Sequence, residues 1–225
     1  MAKYIDLSLE VYEGMPVYPM PGYPKPEFKT ISMEDHIDEE GHQVAGRNST
    51  IMKMLVHCGT HTNAEHHVFP GKQKVDEIPL EVLIGDAFYI KLDRKAKEAI
   101  IREDLEKAAG GKLKKGDRLI IGTGWTSKMW GKDNYYTDCP YLTENAVQWM
   151  IEKGISLVAI DFPSEKWGDQ WALPNHKKII GNRITLVEYI TNTEKITKER
   201  VKLIVAPIKI KGCDGAPSRV IVIEE

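Results

Sequence analysis

The run Ile155-Ser156-Leu157-Val158-Ala159-Ile160 sets the tightest limit on how this chain folds. Nearly all of it is apolar, so it reads as a strand covered on both faces. The residues before it form a matching helix signal. Thr143 is a good N-cap for a helix through Lys153, on which Ala146, Val147, Met150 and Ile151 share one face, and Gly154 ends it. Asp161 then sits at the carboxyl end of the strand. Further strands are expected over Ile84–Leu92, Arg118–Ile121, Val201–Ile210 and Val220–Ile223, and a short helix over Arg102–Ala109, stopped by Gly110-Gly111. Ser49–Val56 reads as a strand that delivers His57 at its end. Between Gly14 and Pro26, Pro16, Pro19, Pro21, Pro24 and Pro26 bar helix and central strand and leave an extended or turning loop. No repeat or linker divides the chain. The expectation is one α/β domain over residues 1–225, with a large mixed sheet or barrel and a few interspersed helices.

Composition narrows the setting. With 42% hydrophobic and 28% charged residues among 225, the chain has ordinary globular composition and enough apolar surface for a core. A net charge of −2, with no Lys/Arg stripe interleaved with aromatics, argues against a nucleic-acid partner. The start, Met1 to Ser8, lacks a secretory apolar segment, and no apolar run approaches a membrane span. The three cysteines, 58, 139 and 213, form no C-x-x-C pair. That usage fits reduced thiols in a cytoplasmic protein and excludes a cysteine-based structural zinc site.

The chemistry concentrates in His57-Cys58-Gly59-Thr60-His61-Thr62-Asn63-Ala64-Glu65-His66-His67, which holds four of the seven histidines. Histidine is the commonest metal ligand and the side chain best suited to proton transfer near neutral pH. No regular element gathers this set. An ideal strand would put residues 57 and 67 roughly 33 Å apart, and a helix would turn 63 and 67 away from 57 and 61. The segment must therefore bend, and Gly59 permits it. A strand end turning there brings His57, His61 and Asn63 around one cation, with His67 just outside.

This segment resembles the H-x-G-T-H-x-D-A-P-x-H motif of the cyclase family of metal-dependent hydrolases, which includes bacterial kynurenine formamidases and isatin hydrolases. Asp6-Leu7-Ser8, Thr123-Gly124-Trp125, Asp161 with Ser164, and Asp214-Gly215-Ala216-Pro217 are similar to further marks of that family. The resemblance implies a swivelling β/β/α fold and a homodimer or homotetramer. It also implies a divalent metal on His57, His61 and Asn63, a second site completed by His176 and Glu188, and His67 as acid/base. Zinc is favoured and manganese is the alternative. The implied reaction is metal-assisted hydrolysis of a small amide or cyclic amide, with an aryl formamide as the specific candidate.

Two positions depart from the motif. Asn63 stands where the family has aspartate, and Glu65 where it has proline. An amide offers one neutral carbonyl oxygen and bridges two cations poorly, so either one metal is held more weakly or a second is held only by His176 and Glu188. Glu65 is an alternative base. A relative that binds a metal or ligand without catalysis, through Asn63, is the competing reading. Among the other candidates, Cys58 is expected to be a buried inert thiol and His66 a loop residue. Asn175 is a candidate N-cap ahead of His176. Trp125, Trp130, Trp167 and Trp171 are candidates for the wall of a flat apolar pocket as well as for core packing.

Overall fold

The computed structural model describes residues 1–225, which fall into two compact units: Met1–Leu9 with Val56–Glu225, and Glu10–Leu55. In the larger unit seven strands close into a ring. Their order is Gly215–Glu224, Arg200–Pro207, Ile84–Lys91, Arg118–Gly122, Leu157–Ile160, Thr185–Glu188 and His61–Asn63, and the last pairs back onto the first. Lys3–Asp6 adds an eighth strand, antiparallel to Gly215–Glu224. The four strands from Ile84 to Glu188 run parallel, and the remaining pairings of the ring are antiparallel. This is the mixed α/β barrel-like architecture that the patterning called for.

The apolar run explains the layering. Leu157, Val158, Ala159 and Ile160 are all fully buried. Alternate positions of the ring (Ala87, Tyr89, Ile120, Leu157, Ala159, Val187, Leu203 and Val222) meet in one core cluster. The other parity, including Phe88, Leu119, Ile121 and Val158, is buried too. Helices Arg102–Ala109, Glu144–Lys153 and Pro174–Gly181 each link one parallel strand to the next, as parallel pairing requires. Thr143 Oγ1 accepts the Ala146 N–H at 3.4 Å, and Gly110 and Gly154 end their helices in the left-handed region, φ +52° and +64°. None of the helices is long and apolar enough to cross a membrane.

The smaller unit carries a two-stranded antiparallel ribbon, Glu27–Met33 with Arg47–Lys53. It corrects one expectation. The strand expected over Ser49–Val56 ends at Lys53 and pairs only within this ribbon, so His57 does not stand at a strand's end. Residues 14–26 hold no helix or strand, as their prolines require.

Candidate metal centre

The histidine segment bends twice. Val56 to Thr60 forms a turn in which Gly59 takes φ +61°, a conformation that favours glycine. Thr60 pins the turn: its hydroxyl donates to the Tyr189 carbonyl at 2.6 Å and accepts the Leu9 N–H at 2.9 Å. His61–Asn63 then runs as a three-residue strand closing the ring between Thr185–Glu188 and Gly215–Glu224. Glu65–His67 follows as a 3-10 turn and folds the chain back. The two bends bring the His57 ring to 5.0 Å from His61 and 4.0 Å from His67, centre to centre.

A second group reaches the same place from the ends of the parallel strands, where open α/β sheets bind their ligands. His176 projects from the first turn of Pro174–Gly181, and Glu188 ends its strand. His176 Nε2 lies 3.1 Å from Glu188 Oε2, and the same oxygen lies 3.8 Å from His61 Nε2. His67 and His176 rings are 5.7 Å apart. Glu165 holds the other side of His176: one oxygen accepts from the His176 backbone N–H at 2.9 Å and meets Nδ1 at 3.0 Å. Burial alone would push His176 down, but the charge of Glu188 and bonds to both carboxylates outweigh it and raise the ring to about 10. Glu188 is correspondingly held below the usual carboxylate range, its burial overcome by His176.

Asp214 was not among the residues the sequence singled out as ligands or acid/base groups. Its Oδ2 lies 2.8 Å from His57 Nε2 and 3.3 Å from His67 Nδ1. Those two bonds hold its carboxyl well below the ordinary range. The Asp-Gly-Ala-Pro turn was visible in the sequence, but nothing local says that it meets residues 57 and 67. Gly215, the next residue, is required by close approach. A Cβ there would stand 2.6 Å from His57 Cε1 and 2.8 Å from the Thr62 carbonyl. Gly215→Ala is therefore expected to displace the His57 ring and destabilise the protein by about 1–3 kcal/mol. Thermal unfolding checks it, and an unchanged melting temperature with unchanged zinc uptake contradicts it.

Asn63 is buried, with its amide donating to the Leu186 carbonyl at 3.3 Å and its Oδ1 without a partner. Glu65 borders a small cavity with Arg183 and Thr185 and makes no ion pair with the histidines. His61 donates Nδ1–H to the Gly59 carbonyl at 2.9 Å, which leaves Nε2 facing the centre. Burial and the neighbouring His57 push it down to about 3, so it is neutral, as a metal ligand must be. Cys58 is buried and burial pushes its thiol up to about 11, which makes it inert. Convergent imidazole nitrogens and carboxylates form a donor set that fits a divalent cation such as zinc or manganese, and the Asn63 Oδ1 is left buried without a partner.

Two expectations need correction in detail. Asn175 does not cap the helix: Leu173 occupies that position, Pro174 opens the helix, and the Asn175 amide donates to the Leu142 and Ser164 carbonyls. Of the tryptophans, Trp130 is the one near the centre. It packs with Tyr135, Tyr136 and Tyr189, and Tyr189 lies 5.4 Å from His61. Trp125 is buried, with Nε1–H donating to the Tyr135 carbonyl, whereas Trp167 and Trp171 are exposed.

A family model described as "Putative cyclase" matches residues 5–165. A kynurenine formamidase from Bacillus anthracis is 26% identical over 222 residues, covering 98% of this chain and 97% of that protein. Among solved structures, a predicted metal-dependent hydrolase from Bacillus stearothermophilus superposes with a TM-score of 0.79 at 25% identity, covering each chain completely. Isatin hydrolase A from Labrenzia aggregata superposes with a TM-score of 0.81 at 21% identity, covering 99% of this chain and 93% of that one, a likeness of fold.

Proposed function

The chain belongs to the cyclase family, and from that premise we propose that it is a metal-dependent hydrolase of a small amide or cyclic amide. The observation that carries the proposal is the convergence of His57, His61, His67, His176, Glu188 and Asp214 on one centre, from segments far apart in sequence. His57, His61 and Asn63 would hold the cation, zinc in preference to manganese, with His176 and Glu188 completing a second position. When bound, the cation supplies a Lewis acid that polarises the scissile carbonyl and makes a water acidic near neutral pH.

The chain's own residues supply the rest. Donation of His67 Nδ1–H to Asp214 leaves Nε2 as the atom that accepts a proton and returns it to the leaving nitrogen. Burial pushes His67 down, against the opposing pull of Asp214, which favours the neutral form that can accept a proton. Trp130, Tyr135, Tyr136 and Tyr189 form an aromatic cluster next to His61, and Trp130, its one half-buried member, is the ring available to a flat substrate. We therefore favour an aryl formamide, the class of bond named by the Bacillus anthracis relative.

Removing metal with a chelator and assaying a panel of aryl formamides and cyclic amides tests this. Hydrolysis should vanish and return with zinc or manganese, and hydrolysis that survives complete metal removal contradicts it. The neutral amide at position 63 favours one competing reading, a metal-binding protein without catalysis. Wild type silent on the whole panel, with activity gained in Asn63→Asp, would establish that reading instead.

A further inference from the structure

The strand pairing that closes the ring brings in a carboxylate that the histidine segment lacks. Gly215 pairs with Asn63, and the Ala64 N–H donates to the Asp214 carbonyl at 2.9 Å, so Asp214 sits beside residue 63. The nearest nitrogens of His57 and His67 and a carboxylate oxygen of Asp214 all lie within 4.8 Å of one another. Ligands about 2.0–2.2 Å from a tetrahedral zinc stand about 3.3–3.6 Å apart. The 2.8 Å between His57 Nε2 and the Asp214 oxygen is about half an ångström short of that spacing, so a small outward shift of either side chain would let the two atoms share one ion.

Charge points the same way. His57, His61 and Asn63 are a neutral set, and a divalent cation among neutral donors in a partly buried place lacks compensation. Glu188 is already committed to His176 and to the Ser164 N–H. Asp214 is the remaining carboxylate in contact with the histidine segment, and its side chain is 40% exposed, which leaves a path from solvent.

We propose that Asp214 is the anionic ligand of the cation held by His57, supplying from the neighbouring strand the negative charge that Asn63 cannot. The inference rests on the metal-dependent reading above. A carboxylate has lone pairs enough to serve the cation and still accept from His67 Nδ1, so the proton-transfer group stays oriented on the same residue. Each of the two facing atoms, His57 Nε2 and Asp214 Oδ2, then gives up the bond it makes to the other in favour of the ion.

Zinc titration of the metal-free, full-length protein by calorimetry tests the assignment. Asp214→Asn should weaken zinc binding by about 100-fold or more, beyond the 10- to 100-fold typical of groups that only orient a ligand. Asn63→Asp in that background should recover most of the loss. Binding by Asp214→Asn within about threefold of wild type overturns the proposal and leaves the metal-dependent reading standing. Failure of the wild type to bind zinc overturns both. If Asp214→Asn does not fold, anomalous diffraction from zinc-loaded wild-type crystals decides: zinc about 2.0–2.2 Å from an Asp214 oxygen supports the assignment, and a separation beyond about 3 Å ends it.

Discussion

Alanine at position 61 is expected to strip the cation and abolish hydrolysis, whereas alanine at position 67 abolishes hydrolysis and leaves the cation in place. The two histidines are six residues apart and within one cluster, but their surroundings differ. His61 is 2% exposed, is fixed by the Gly59 carbonyl and presents Nε2 between His57 and Glu188. It is neutral and aimed, the condition of a ligand. His67 is more open and hands one nitrogen to Asp214, the condition of a proton carrier. Loss of a positioned acid/base costs typically about 10²- to 10⁴-fold in rate. Loss of the cation removes the acidic water as well and should cost more. Metal content and turnover, measured on the same samples, separate the two. Wild-type turnover in His61→Ala, or loss of metal in His67→Ala, contradicts the division of roles.

The largest effect on stability is expected at Asp161, which touches none of the histidines. Its carboxylate is fully buried and accepts from the Thr123 and Gly124 N–H groups and from the Thr123 and Thr193 hydroxyls, at 2.7 to 2.9 Å. Burial pushes this carboxyl up, and the four donors oppose it. The network locks the Thr123-Gly124-Trp125 turn to the end of the Leu157–Ile160 strand. Asp161→Ala leaves four buried donors without a partner, each worth roughly 1–3 kcal/mol before water compensates. A net loss of about 3–5 kcal/mol is expected, or about 10 °C in melting temperature for a chain of this size. A shift under about 2 °C would show that the turn does not depend on this residue. The partners of its carboxylate are Thr123, Gly124 and Thr193, all in the turn and its neighbouring loop.

Much of the fold was legible because its signals are local. The apolar run at 155–160, the cap at Thr143 and the glycines at 110 and 154 each announce an element within a few residues. Two strands of three and four residues carry no such signal. His61–Asn63 and Thr185–Glu188 are strands because of partners far away, Leu186 with Asn63 and Gly215 with Asn63, and neither register can be read from the segment itself. The Ser49–Val56 pattern correctly suggested a strand, but pattern alone cannot say which sheet receives it. The same distinction governs the site. Density of histidine marked residues 57 to 67, and resemblance marked His176 and Glu188. Asp214 escaped because it lies 147 residues from His67, and Glu165 because a carboxylate beside Ser164 looks like surface until the helix at Pro174 folds over it.

Zinc bound per chain, measured after the purified metal-free protein is reloaded and dialysed, bears most directly on the whole account. Wild type should retain at least one equivalent and a His57→Ala, His61→Ala double variant essentially none. A wild-type chain that folds, keeps its imidazoles clustered and still retains no zinc or manganese would contradict it.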